Sequence, residues 1–142
     1  MKKLFSLLGC ILLLAAGLTD SAQAQRVYSL PGATGYTTDT VVNTATKTQT
    51  IRVDGYQDAV TIQVVLTKIS GTAAGKVYLL GSIDGANYIR AGGADSLVVT
   101  NVATQSGIFK VTNSPYLYYR TSYTGSGTQS VKIQAKAIWR KR

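Results

Sequence analysis

The sequence predicts an all-β protein, an antiparallel β-sandwich of about eight strands with jelly-roll-like character. Three observations carry that expectation. From Thr40 onward Thr, Val, Ile and Tyr dominate, in short runs separated by Gly, Asp, Asn and Ser. That is the composition of strands and of the turns between them. The two longest runs alternate with a period of two. In 59–69, Val60, Ile62, Val64 and Leu66 fall on one face, with Thr61, Gln63, Val65 and Thr67 on the other. In 130–140, Val131, Ile133, Ala135, Ala137 and Trp139 alternate with Lys132, Gln134, Lys136, Ile138 and Arg140. One apolar and one polar face means one buried side and one wet side. Beyond the N-terminal segment, no stretch shows a helical period.

Residues 1–24 read as a secretory signal peptide. Lys2 and Lys3 precede the apolar run 4–18, and Ala22-Gln23-Ala24 is a small-x-small cleavage site. The apolar run is shorter than the ~20 residues of a spanning helix. A lipoprotein cut before Cys10 would fall within the apolar stretch, which continues to Leu14. The expected mature chain therefore starts at Gln25 and has 142 minus 24, or 118, residues. That length suits one domain with a modest core. Residues 25–39 hold Pro31, Gly32 and Gly35 with little periodicity, and read as a flexible leader. The sandwich domain is expected over 40–142. Its strands are expected at 40–43, 48–53, 59–69, 76–82, 87–91, 96–100, 107–111, 116–123 and 130–140.

An internal echo runs through this domain. "VVNTAT" at 41–46 resembles "VTNVAT" at 99–104, offset by 58, and "SGT" at 70–72 recurs at 126–128, offset by 56. The echo suggests two related four-strand units packed sheet on sheet. Chance is the competing reading, because Ser, Gly and Thr are abundant. A membrane-spanning barrel is not expected, since most runs fall short of the ~9–11 residues that such strands need.

Missing residue types exclude much chemistry. The sequence has no His and no Glu, and its one cysteine, Cys10, lies in the signal segment. Ser-His-Asp and Cys-His arrangements, His/Cys zinc sites and disulfides of the mature chain are thereby excluded. The remaining carboxylates, Asp39, Asp54, Asp58, Asp84 and Asp95, sit at expected strand ends, where Asp commonly bonds turn amides. No catalytic residue, cofactor or metal is expected.

The formal charge is +9, and removing Lys2, Lys3 and Asp20 leaves +8. Five basic residues close the chain: Lys132, Lys136, Arg140, Lys141 and Arg142. For an exported protein this charge points to anionic glycans or cell-envelope surfaces rather than to specific nucleic acid. A solvated strand face with a basic tail is the simpler account of it.

Two stretches are candidate sites. "GSIDGANYIR" at 81–90 clusters Asp, Asn and Tyr. A calcium loop would need further carboxylates and a terminal Glu. A hairpin turn needs only Gly85 at positive φ after Asp84. On that reading Gly85→Val destabilises the fold and Asp84→Asn changes little. "SPYLYYRTSY" carries Tyr116, Tyr118, Tyr119, Arg120 and Tyr123. Alternation puts Tyr116 and Tyr118 with Arg120 on one face, and Leu117, Tyr119 and Tyr123 on the other. Such tyrosines can stack on sugars or anchor an interface, or fill the edges of a small core.

"GKVYLLGSIDGANY" and "SPYLYYRTSYTGSGTQSVKIQAKA" together resemble small β-sandwich modules of bacteriophage virion and bacterial surface proteins, over roughly residues 58–138. The resemblance implies assembly, decoration or adhesion through a protein partner or a second copy, and brings no catalytic residues. The expected function is an exported, non-enzymatic structural or interaction protein of the periplasm or cell surface. The alternatives are a carbohydrate-binding module using surface tyrosines and a phage-derived virion decoration protein.

Overall fold

The alternating runs form strands because their β-branched and aromatic side chains fit a pleated surface buried on one side. The computed structural model describes residues 26–33, 35–55, 57–91 and 96–141. Residues 1–24, which the sequence reads as a signal peptide, lie outside the described residues, as do Asp95 and Arg142. Ten strands are present: β1 (Tyr28–Ser29), β2 (Asp39–Val42), β3 (Thr46–Arg52), β4 (Gln57–Gly71), β5 (Gly75–Ser82), β6 (Ile89–Arg90), β7 (Leu97–Val99), β8 (Thr104–Ser114), β9 (Tyr118–Gly125) and β10 (Gln129–Lys141).

They form two antiparallel five-stranded sheets. In the first, the order is β1-β10-β4-β8, with β2 also on β10. In the second, it is β3-β9-β5-β6, with β7 also on β5. The inner face of the first sheet is the one the alternation marks. Val60, Ile62, Val64 and Leu66 of β4 lie buried beside Val131, Ile133, Ala135 and Ala137 of β10. Val77 and Leu79 of β5 and Tyr119 and Tyr123 of β9 are among the buried residues of the facing sheet.

Part of the segment read as a leader is paired. Tyr28 and Ser29 align with Ala137 and Lys136, Leu30 is fully buried, and the Pro31 carbonyl accepts from Thr50 N. The Tyr28 ring stacks on Trp139 at 4.2 Å between centroids. A two-residue strand has no period to read, so the sequence pattern gave no sign of it.

The internal echo has a topological counterpart, but not one unit per sheet. The 58-residue offset carries β2, β3, β4 and β5 onto β7, β8, β9 and β10. Each strand lands in the opposite sheet. The pairings follow: β4 with β10 and β8 becomes β9 with β5 and β3, and β2 with β10 becomes β7 with β5. The two units therefore interleave, each giving strands to both sheets. Their corners match as well. Asn43 Oδ1 accepts from Gln129 N at 3.3 Å, and Asn101 Oδ1 accepts from Ala73 N at 3.1 Å. The two asparagines are related by the first offset, and their donors by the second. Gly71 and Gly127, at φ 73° and 85°, make the two equivalent turns.

Buried polar groups at one end of the sandwich satisfy one another. Gln129 Oε1 accepts from Ala74 N at 2.8 Å and lies 3.0 Å from the Tyr123 hydroxyl. Gln129 Nε2 donates to the carbonyls of Asn43 and Ala74 at 3.1 and 2.7 Å. This network ties the β2–β3, β4–β5 and β9–β10 turns together, as a buried amide requires. The Tyr119 hydroxyl pairs with Ser114 Oγ. Burial raises the phenol pKa of both Tyr119 and Tyr123.

Two outcomes are expected. Ile133→Ala costs about 2–5 kcal/mol in urea denaturation, while the adjacent Lys132→Ala stays within about 0.5 kcal/mol. The raised phenols contribute stability that is fully present below the unfolded tyrosine pKa and lost as pH rises through their folded values. Thermal stability should therefore fall above about pH 10, and Tyr119→Phe should reduce that alkaline loss.

Candidate functional site

Strand β9 sits inside the second sheet, so its alternation has two different outcomes. Tyr119, Thr121 and Tyr123 point inward and are fully buried, whereas Tyr118, Arg120 and Ser122 are half-buried on the outer face. Register extends that outer face across the sheet. Arg52 aligns with Tyr118 and Ser82, and Thr50 aligns with Arg120, Leu80 and Arg90. Thr48 aligns with Ser122 and Tyr78, and Thr46 with Thr124, Lys76 and Val98. The result is a surface of hydroxyls, tyrosine rings and cations.

The loop after β5 folds back over one end of this surface. Ser82 Oγ donates to Asp84 Oδ1 at 2.7 Å and accepts from Gly85 N at 3.0 Å. Asp84 Oδ1 also accepts from Ala86 N and Asn87 N at 2.9 and 2.8 Å, and Asp84 Oδ2 accepts from Asn87 Nδ2 at 2.7 Å. These donors hold the Asp84 carboxyl far below the usual range. The Ser82 hydroxyl acts most strongly, followed by the Asn87 amide, the Asn87 side chain and the Ala86 amide. Both carboxylate oxygens are engaged by protein donors, so the loop is built as a turn. Gly85 has φ 75°, and a Cβ there would lie 3.1 Å from the Tyr118 ring.

The loop thereby delivers Tyr88 to the face. The Arg120 guanidinium lies over the Tyr88 ring at 3.6 Å, Arg90 over Tyr78 at 3.9 Å and Arg52 over Tyr118 at 5.9 Å. Arg120 Nε also donates to Thr50 Oγ1 at 3.0 Å.

The structure separates the residues that the sequence grouped. Tyr118 and Arg120 are on the outer face. Tyr119 and Tyr123 are core residues with no exposure, so they cannot touch a ligand. Tyr116 does not share the face of Arg120. A bend at Leu117 interrupts the alternation, and Tyr116 packs over Gly81 and edge-on to Tyr119 at 6.0 Å. Asp84 is less replaceable than the sequence suggested. An amide in its place would set an NH2 group against Asn87 Nδ2, or lose the acceptor for two backbone amides. Tyr78, Tyr88, Arg90 and Arg52 were missed. The period-two run Lys76, Tyr78, Leu80 held part of the signal, but the loop that brings Tyr88 in was not readable.

No protein-family model and no characterised protein sequence matches the chain. Solved structures share its fold. The PBSX exported protein XepA aligns with a TM-score of 0.56 at 13% identity, over 82% of this chain and 37% of that one. The Yersinia pseudotuberculosis-derived mitogen aligns at 0.52 and 10%, over 80% and 86%. A family 28 carbohydrate-binding module, specific for non-crystalline cellulose, aligns at 0.51 and 8%, over 72% and 73%. At such identities the likeness is one of fold: this chain is an all-β sandwich of the kind these proteins contain.

Asp84 provides a test of the loop. Its lowered pKa contributes stability that is present above the ordinary Asp value and lost as pH falls toward the depressed folded value. Asp84→Asn should lower the melting temperature at neutral pH, and the gap from wild type should narrow below about pH 4. A gap independent of pH would mean that the carboxylate charge does not hold the turn.

Proposed function

We propose that this protein is an exported, non-enzymatic surface module that binds glycan through the outer face of the β3-β9-β5-β6 sheet. The observation that carries this reading is the surface formed by Tyr78, Tyr88 and Tyr118 among Thr48, Thr50, Ser122 and Arg120. Aromatic rings beside hydroxyls and guanidinium donors match the alternating CH and OH surfaces of a sugar chain. The fold shared with a carbohydrate-binding module supports it. Export rests on the N-terminal pattern of Lys2, Lys3 and the apolar run 4–18. The absence of His and Glu supports a binding rather than a catalytic role.

A second reading has its own observation. β8 closes the first sheet with no further strand pairing to it among the described residues, and it exposes Ile108 at 68%. An open edge of this length suits assembly with a second copy of the chain. Light scattering after size exclusion tests it: a strict monomer at all concentrations rules it out.

Affinity electrophoresis through polysaccharide-containing gels tests the first reading. Retardation is expected, and Tyr88→Ala and Tyr118→Ala should each weaken it about 2–10-fold while the protein stays folded by circular dichroism. Unchanged retardation in both variants would remove this face as the site.

A further inference from the structure

We infer that the ligand of this face is an anionic polysaccharide, whose sulfate or carboxylate groups are gripped by Arg120 and Arg90. The inference rests on the glycan-binding reading above and names its chemical class. Three observations lead to it. First, both guanidiniums are held in place before any ligand arrives. Arg120 lies over Tyr88 with its Nε committed to Thr50, and Arg90 lies over Tyr78. Stacking on a ring restrains the guanidinium plane, and with it the fork of its Nη donors. That fork matches a carboxylate or sulfate bidentately.

Second, neither guanidinium forms an ion pair among the described residues. The ion pairs among the described residues are Lys47–Asp39, Arg52–Asp54 and Arg140–Asp58. Asp84, the acid of the adjoining loop, is saturated by its own turn donors. Two ordered guanidiniums on one face, without an ion-pair partner among the described residues, repel each other, and an anionic ligand removes that cost.

Third, the spacing suits a chain bearing repeated charges. Arg120 and Arg90 align with Leu80 between them, which places their Cα atoms two strand spacings, or about 10 Å, apart. The same stacking covers one face each of Tyr78 and Tyr88, leaving those rings less able to seat a neutral sugar.

The opposite sheet supplies an internal control. Its outer face carries Lys132 and Lys136, both exposed. Arg140 there is already paired with Asp58. Lysines present mobile point charges rather than fixed forks, so net attraction acts on both faces while oriented recognition acts on one.

The test is calorimetric titration of the purified protein with neutral and anionic forms of one backbone: dextran against dextran sulfate, and cellulose oligomers against carboxymethylcellulose. Polyphosphate serves as a charge-only probe. Binding of at least one anionic form should exceed its neutral parent at least tenfold, and exceed polyphosphate. The double variant Arg90→Ala/Arg120→Ala should lose at least tenfold, and the charge-matched Lys132→Ala/Lys136→Ala less than twofold. Arg120→Lys should weaken binding severalfold although it keeps the charge. Equal binding of neutral and anionic forms would overturn the inference and leave the glycan reading standing. Polyphosphate binding as tight as any glycan, or no polysaccharide binding at all, would overturn both. Equal losses in the two double variants would reduce the effect to net charge and also overturn the inference.

Discussion

The molecule depends on burying one face of each sheet against the other. No cysteine lies in residues 25–142, so packing and backbone pairing carry the stability. The constraint is strict because β4 and β10 run side by side from Gln57 with Lys141 to Gly71 with Gln129. A slip of one residue would turn Val60, Ile62, Val64 and Leu66 to water and bring Thr61 and Gln63 inside. The facing sheet meets this surface with two tyrosines, which are large enough to fill the gap but carry hydroxyls that must be paired. Ser114 and Gln129 supply those partners. The Gln129 network in turn fixes three turns at one end, so the core and the corners are a single problem solved together.

The outer face follows from the inner one. Because Tyr119, Thr121 and Tyr123 are committed to the core, Tyr118, Arg120 and Ser122 must point away from it. The same logic on β5 turns Lys76, Tyr78 and Leu80 outward. A rigid sheet then holds the cations and rings at fixed spacings, and only Tyr88 depends on a loop. That loop is unusually well tied, with four donors on the Asp84 carboxylate, so it adds little freedom to the face. The stretch 81–90 is therefore a turn whose consequence is positional: it sets Tyr88 beneath Arg120.

What could be read from sequence, and what could not, divides along physical lines. The alternation in β4 and β10 is local and strong, and it gave the fold class and the buried positions. Pairing is non-local, so the interleaving of the two units could not be seen in the echo, although the Asn43 and Asn101 corners lay inside it. β1 is too short to leave a period. Tyr116 was misassigned because alternation was extended through Leu117, where the chain bends. The sequence placed Tyr118 and Arg120 on one face correctly. It could not reveal that Arg90, Tyr78 and Tyr88 join them, since that depends on register across three strands.

The two stacked guanidiniums, Arg120 and Arg90, are the proposed centre of the binding surface. The most direct measurement is a nuclear magnetic resonance titration that follows the arginine Nε–H signals and the backbone amides with a sulfated oligosaccharide. Arg120 and Arg90 Nε–H should shift first and saturate together, along with amides of β9 and β5, while β10 and β8 stay unchanged. Shifts centred on Lys132 and Lys136, or spread evenly over both sheets, would contradict it.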